Sequence, residues 1–102
     1  MKARKTKDIV RVLEKKGFVL NPNKDHHNFY YLEIEGKKHN IYTYLSHGIS
    51  EYNTNLMSRI KKQLSFNDTS LAEDFFDCPM TAEEYVKMLI KNGVLKHFNQ
   101  DN

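Results

Sequence analysis

The chain is constrained most by two neighbouring segments, residues 27–34 and 38–45, which are rich in aromatic and β-branched residues. Such residues favour extended backbone, because their side chains fit a pleated and half-buried surface. Glu35–Lys37 between the two segments predicts a tight turn, so the pair is expected to form an antiparallel hairpin. Phe18–Leu20, which lies ahead of the turn residues Asn21–Asn23, predicts a further short strand.

Apolar residues occupy both predicted faces of this hairpin, since successive side chains of a strand point to opposite sides. The alternating residues are Phe29 and Tyr31 against Tyr30, Leu32 and Ile34 in the first segment, and Ile41 and Leu45 against Tyr42 and Tyr44 in the second. Strands that are apolar on both faces are usually covered on both. We therefore expect either the C-terminal segments or a partner molecule to lie over the second face, and we expect the face of Tyr30, Leu32 and Ile34 to be the one that the C-terminal segments cover.

Helical periodicity flanks the strands on both sides. The predicted helices cover about residues 6–16, 53–64, 70–76 and 81–92. Thr6 is placed to cap the first helix and Gly17 to end it, whereas Thr81 and Glu84 form a capping box ahead of the last. This order predicts an α+β fold, α-β-β-β-α with a three-stranded antiparallel sheet, both core helices on one face and a C-terminal helical extension.

Charge is distributed unevenly along the chain. Residues 1–66 contain 13 Lys/Arg and 6 Asp/Glu, a net charge of +7, whereas residues 67–102 contain 3 and 7, a net charge of −4. A basic body can attract a polyanion such as RNA. An acidic tail can equally fold back and neutralise that body. Both interpretations stay open, and we predict a domain of residues 1–66 on which residues 67–102 pack as an acidic helical extension.

The chain of 102 residues is long enough for one hydrophobic core without a disulfide or a structural metal. Its single cysteine, Cys78, excludes an internal disulfide and fits a reducing cytosol. Asp8 and Arg11 interrupt the segment after the charged N-terminus, so we expect no signal peptide. No apolar run approaches the length of a membrane span, and we expect a cytoplasmic protein without a membrane partner.

With this order of elements, the chain resembles the HicA family of bacterial and archaeal toxins over about residues 5–66. The helix ahead of Phe18 is similar to a family helix that is followed by an aromatic residue. Lys24–Phe29 is similar to a family motif of Gly-Ser-His, often with a second histidine, and then an aromatic residue. His47 is similar to a histidine at the end of the family's third strand, and Leu56–Leu64 to the family's Leu-x-x-x-Ile-x-Lys-Gln helix.

The resemblance implies a double-stranded-RNA-binding-domain-like (dsRBD-like) fold and a ribonuclease that cleaves messenger RNA and is neutralised by a HicB-like antitoxin. By the same resemblance His26 is the catalytic histidine, with His27 as the second candidate. A histidine can act as general base on a ribose 2′-OH and then as general acid, and this scheme needs no metal ion or other cofactor. Lys24 and Asp25 stand where the family has Gly and Ser. This departure leaves a second hypothesis open, a non-catalytic RNA-binding or protein-interaction module on the same fold.

Other candidate residues have both a functional and a structural interpretation. The residues expected to contact RNA phosphates are Lys2, Arg4, Lys5, Lys7, Arg11, Lys24, Arg59, Lys61 and Lys62. The alternative for these cations is two ordinary solvated helix faces. Tyr30, Tyr42 and Tyr44 either stack on bases or pack half-buried. His39 and His47 could join His26 around zinc, but their spacing follows no metal-binding pattern, so no metal site is predicted.

Overall fold

Four helices and two antiparallel sheets make up the part of the chain that the computed structural model describes, which is residues 1–22, 27–77 and 79–96. In chain order the elements are β1 (Arg4–Lys5), α1 (Thr6–Lys15), β2 (Phe18–Pro22), β3 (His27–Ile34), β4 (Lys37–Ser46), β5 (Glu51–Tyr52), α2 (Thr54–Gln63), α3 (Thr69–Asp77) and α4 (Ala82–Lys91). The predicted α+β class and the three-stranded antiparallel sheet are confirmed. None of the described helices is long and apolar enough to cross a membrane.

The three-stranded sheet has the order β2-β3-β4, with β3 in the centre. The β3–β4 hairpin turns at Glu35 and Gly36, whose φ angles are 53° and 79°. Positive φ at both positions gives the turn a twist that matches the twist of its two strands. The register then places His27 opposite Ser46 at the far end of the hairpin. The predicted hairpin is therefore confirmed, with its turn at the expected place.

A second, two-stranded sheet joins β1 to β5, and no pattern in the sequence predicts it. Each strand contributes two residues, with Arg4 opposite Tyr52 and Lys5 opposite Glu51. Segments of this length are too short to show the two-residue periodicity of a strand. Tyr52 is fully buried, and its hydroxyl oxygen accepts a hydrogen bond of 2.7 Å from the backbone N–H of Ser46. This small sheet therefore holds the start of α1 close to the end of β4.

One hydrophobic core lies between the three-stranded sheet and the helices. Its fully buried side chains include Ile9, Leu13, Phe18, Leu32, Met57, Ile60, Leu64, Phe75, Tyr85 and Leu89. Lys16 is also buried, with 3% of its surface exposed. Its Nζ donates a hydrogen bond to the carbonyl oxygen of Met80 and lies 5.8 Å from the ring centroid of Phe75. The end of α1 is thereby tied to the loop that precedes α4.

The C-terminal helices pack on the face of Tyr30 and Leu32, as expected, but α1 and α2 lie on this same face, so no described helix covers the face of Phe29 and Tyr31. The rings of Phe75 in α3 and Tyr85 in α4 lie 6.4 Å and 5.9 Å from the ring of Phe18. Phe18 pairs with Leu32 on the buried face of the sheet. The ring of Phe66, just after α2, lies 5.4 Å from the rings of Phe75 and Tyr85. These contacts keep the chain after α2 beside α1, so the second face stays open within the described residues.

Of the two helix N-caps predicted from the sequence, the structure confirms one. Thr81 and Glu84 form the predicted capping box of α4, with hydrogen bonds of 3.1 Å and 2.8 Å. The Asn53 side chain caps α2 by accepting from the N–H of Leu56. The prediction that Thr6 caps α1 is wrong, because the cap position is one residue earlier and has no side-chain hydrogen bond. The Thr6 hydroxyl instead donates to the carbonyl oxygen of Ile49, in the loop before β5.

Candidate nucleic-acid interface

The open face of the three-stranded sheet carries a continuous group of aromatic rings. We call this group the aromatic face, and its members are His27, Phe29 and Tyr31 of β3 and Tyr42 and Tyr44 of β4. All five side chains are partly exposed. Large apolar side chains that remain exposed side by side often mark a site of interaction.

Strand alternation and register together bring these rings to one place. Side chains two residues apart on a strand share a face, and residues directly opposite on paired strands share it too. Tyr31 pairs with Tyr42 and Phe29 pairs with Tyr44. Tyr30 points to the other side and is buried, with 4% of its surface exposed. Burial and the nearby carboxylate of Glu14 both raise the pKa of Tyr30. Of the three tyrosines proposed from the sequence to stack on bases, Tyr30 is therefore inaccessible.

The rings of the aromatic face contact one another closely. The ring centroids of Tyr31 and Tyr42 are 4.9 Å apart, and those of Phe29 and Tyr44 are 5.4 Å apart. The imidazole of His27 meets the ring of Tyr44 edge-on at 4.8 Å. Phe29 also lies 5.8 Å from Tyr42, so it sits at the centre of the group. Contacts of this kind hold aromatic side chains in fixed orientations.

A cation lies over the ring at each end of the aromatic face. The guanidinium carbon of Arg59, on α2, is 4.6 Å from the ring centroid of Tyr44, and one of its nitrogens donates to the Tyr44 carbonyl oxygen at 3.4 Å. The ammonium nitrogen of Lys38 is 4.6 Å from the ring centroid of Tyr31. Both distances are within the range of a cation–π interaction. Arg59 is one of the residues predicted to contact phosphate, whereas Lys38 was not predicted.

Two histidines lie at the Arg59 end of the aromatic face. His27 is opposite Ser46 in the sheet, and the next residue, His47, follows directly after β4. A ring nitrogen of His47 is 2.9 Å from the side-chain oxygen of Asn28. His47 therefore bonds to a side chain of the neighbouring strand where β4 ends. Both histidines are next to the start of β3.

The primary catalytic candidate, His26, lies outside the described residues, as do Lys24 and Asp25. Their positions in the chain directly precede His27, which is described. Within the described residues, no group of three or more His, Cys, Asp or Glu side chains could hold a metal ion. His39, in the middle part of β4, is partly buried.

The remaining predicted phosphate contacts of the N-terminal region lie in β1 and α1. Lys5 and Lys7 are exposed and border a hollow of about 600 Å³ at the start of α1. Arg11 is exposed and pairs with Asp8 one turn earlier at 2.9 Å. An exposed pair of this kind contributes little stability and leaves the cation free to change partners.

The predicted contacts on α2 are nearer to the sheet. Arg59, described above, reaches the aromatic face. Lys61 is partly exposed and donates a hydrogen bond of 2.9 Å to the hydroxyl of Thr69, which opens α3. Lys62 is exposed. The basic side of α2 is thus partly engaged by the chain that follows it.

Two N-terminal cations are neutralised by the acidic segment. Arg4 pairs with Glu73 and, at 2.9 Å, with Asp77, and only 10% of its side chain is exposed. Lys2 lies 3.5 Å from the same Asp77 carboxylate. The hydrogen bond from Arg4 is the main reason why the pKa of Asp77 lies below its ordinary value. Carboxylates of the acidic segment therefore neutralise Lys2 and Arg4, as the fold-back interpretation predicts. Arg59 and Lys38 lie over aromatic rings.

Comparison with known proteins found no matching family model, no matching curated protein and no matching solved structure.

Proposed function

We propose that this protein binds RNA and cleaves messenger RNA as a HicA-like endoribonuclease, with His26 as the general acid–base group. The observation that carries the proposal is the contact series at one end of the hairpin. The imidazole of His27 touches Tyr44, and the guanidinium of Arg59 lies over the same ring. The imidazole of His27, the second catalytic candidate, and a guanidinium that can bind phosphate are thereby held within one short stretch of surface, and His26 directly precedes His27 in the chain.

The proposed reaction uses the ribose as its own nucleophile. The general base removes the proton from the 2′-OH, and the 2′ oxygen attacks the adjacent phosphorus. The bond from phosphorus to the 5′ oxygen of the next nucleotide breaks, which leaves a 2′,3′-cyclic phosphate. The imidazolium then returns a proton to the departing 5′ oxygen. A guanidinium near the phosphate would stabilise the negative charge that develops on its oxygens.

The order of helices and strands supports the same proposal. Between Thr6 and Gln63 the larger elements follow the order α-β-β-β-α, interrupted only by the two-residue β5. We propose that this part is dsRBD-like, and that the basic faces of its helices contribute contacts to RNA phosphates. A HicB-like antitoxin that covers the histidine end of the hairpin would complete the system.

The alternative proposal is a non-catalytic RNA-binding or protein-interaction module. Two observations favour it. Lys24 and Asp25 replace the Gly and Ser of the family motif, and an acidic side chain is unfavourable beside a phosphate. Glu73 and Asp77 form ion pairs with Arg4, a cation that could otherwise bind an RNA phosphate. The RNA-binding form of this alternative differs from the first proposal only in the chemistry at the histidines, whereas the protein-interaction form differs also in the molecule bound.

Expression in a bacterial host separates the two proposals. We expect the wild type to slow growth and to degrade messages, and we expect His26→Ala to abolish both effects. His97→Ala, at a histidine far away in the sequence, is the matched control and should behave as wild type. If wild-type protein neither slows growth nor cleaves purified RNA, the endoribonuclease proposal is wrong. If His27→Ala abolishes cleavage and His26→Ala does not, the catalytic role belongs to His27.

A further inference from the structure

We propose that the aromatic face binds unpaired RNA bases by stacking, with the chain of phosphates held by Arg59 and Lys38. The inference rests on the proposed RNA-binding function and names the form of RNA that is recognised. It concerns a surface on the open side of the sheet, which is separate from the helix faces that bind a duplex in a dsRBD-like protein.

The geometry suits bases that are presented one after another. Antiparallel sheets in RNA-binding proteins stack two or three bases on aromatic residues of neighbouring central strands. Here the pairs Tyr31–Tyr42 and Phe29–Tyr44 lie on adjacent strands, two residues apart along each strand. A step of two residues corresponds to about 6–7 Å. The face therefore offers two successive ring pairs, and the edge-on imidazole of His27 extends the row beyond Tyr44.

The charges at the edges of the face complement a polyanion. Arg59 and Lys38 lie over the rings at opposite ends, each 4.6 Å from a ring centroid. A guanidinium stacked on a ring still presents its outer nitrogens to a phosphate. Glu33 lies opposite Lys38 in the sheet, so its carboxylate is at the Lys38 end of the aromatic face and away from Arg59.

The chemistry of the face favours single-stranded RNA over the other possible occupants. A duplex keeps its bases stacked inside, so rings on a flat sheet cannot reach them. A second copy of this chain would bring the cations Arg59 and Lys38 of two identical faces towards each other. Rings outnumber aliphatic side chains on this side of the sheet, where Val19 lies opposite Tyr31 and is 45% exposed. Stacking on rings also tolerates any base, because every base has a flat π surface.

The test measures binding of a short single-stranded RNA that carries one 2-aminopurine, whose fluorescence is quenched when it stacks. All proteins carry His26→Ala so that the RNA stays intact. We expect Tyr42→Leu/Tyr44→Leu to weaken binding roughly 5- to 150-fold for each stacked base that is lost, and to abolish the quenching. Tyr42→Phe/Tyr44→Phe keeps both rings and is the matched control, with binding and quenching close to wild type. Thermal unfolding of each variant checks that it is folded.

A second pair of variants tests the charges. Lys38→Gln should reduce the slope of log affinity against log salt by about 0.7, the contribution of one phosphate contact on a single strand. Lys91→Gln removes an exposed cation at the end of α4 and should leave the slope unchanged. An equal effect of both substitutions would mean that the charge acts from a distance and that no phosphate lies at Lys38, which overturns the proposed path.

The outcomes separate this inference from the proposed function. If the wild type binds RNA and the leucine double variant binds it equally well, the aromatic face is not the site, although RNA binding stands. If the wild type binds neither single-stranded nor duplex RNA, the proposed function fails and the inference fails with it. If the wild type self-associates and the leucine variant is monomeric with unchanged RNA affinity, the face is an interface between copies, and stacking of bases is refuted.

Discussion

Replacing Tyr85 by phenylalanine would test whether α4 is an integral part of the core. Tyr85 is fully buried, and its hydroxyl donates a hydrogen bond of 2.7 Å to the carbonyl oxygen of Leu64 at the end of α2. Tyr85→Phe keeps the ring and its contacts with Phe18 and Phe75. The substitution removes only the hydroxyl, so the Leu64 carbonyl loses this buried donor. Such a loss costs about 1–3 kcal/mol.

The expected shift is large enough to measure by thermal unfolding. In a domain of this size, a loss of 1 kcal/mol lowers the melting temperature by about 4–8 °C. Tyr42→Phe is the matched control, since its partly exposed hydroxyl makes no hydrogen bond within the described residues. We expect the control to change the free energy of unfolding by less than about 0.5 kcal/mol. Equal melting temperatures of Tyr85→Phe and wild type would show that α4 does not depend on this bond.

The pH dependence provides an independent check on the same residue. Burial raises the pKa of Tyr85 well above that of an exposed tyrosine. Above about pH 10 the unfolded chain releases this proton while the folded chain keeps it, so the stability of the wild type falls. The loss is about 1.4 kcal/mol per pH unit for one proton, and Tyr85→Phe lacks it. The stability gap between the two proteins should therefore narrow as pH rises above 10. A gap that stays constant would refute burial of the hydroxyl.

Three further substitutions test local features of the fold by thermal unfolding. Thr81→Ala removes the side-chain cap of α4 and should cost about 1 kcal/mol, and an unchanged melting temperature would mean that the capping box is not formed. Gly17→Ala should cost about 1–2 kcal/mol, because Gly17 has a φ of +98°, and a neutral result would contradict this backbone conformation. The pKa of Asp77 is lowered chiefly by Arg4, so its charged form stabilises the fold above about pH 3.9, and this stability is lost as pH falls. In Asp77→Asn the free energy of unfolding should therefore fall less steeply as pH is lowered. An unchanged dependence on acidic pH would argue against the ion pair with Arg4.

The local elements of this protein were predictable because their signals lie within a few residues of one another. The hairpin follows from aromatic and β-branched segments on both sides of Gly36, which supplies a positive φ. The capping box follows from two residues three positions apart, Thr81 and Glu84. The cap of α1 was misplaced because Thr6 bonds to Ile49, more than forty residues away. A competing partner at such a distance leaves no trace in the local pattern.

The candidate site was predictable only in part. Alternation along the strands indicated that Phe29 and Tyr31 share a face, and the same rule separated them from Tyr30, which the structure buries. Arg59 was identified as a cation on a helix, but its position over Tyr44 required α2 to lie beside the edge of the sheet. Lys38 was not predicted, although it belongs to β4 and lies an even number of residues from Tyr42 and Tyr44, which places it on their face.

The sequence by itself determined the class of the fold, the hairpin and the positions of most helices, because short-range propensity, periodicity and turn chemistry act within each segment. The tertiary structure alone decided that the C-terminal helices lie on the same face of the sheet as the first two helices, which leaves the other face open. That arrangement depends on the packing of Phe75 and Tyr85 against Phe18, which is far from them in the chain, and on the contacts of Phe66 with the same two rings. It buries one side of an aromatic hairpin and leaves the rings of the other side partly exposed, with a cation at each end.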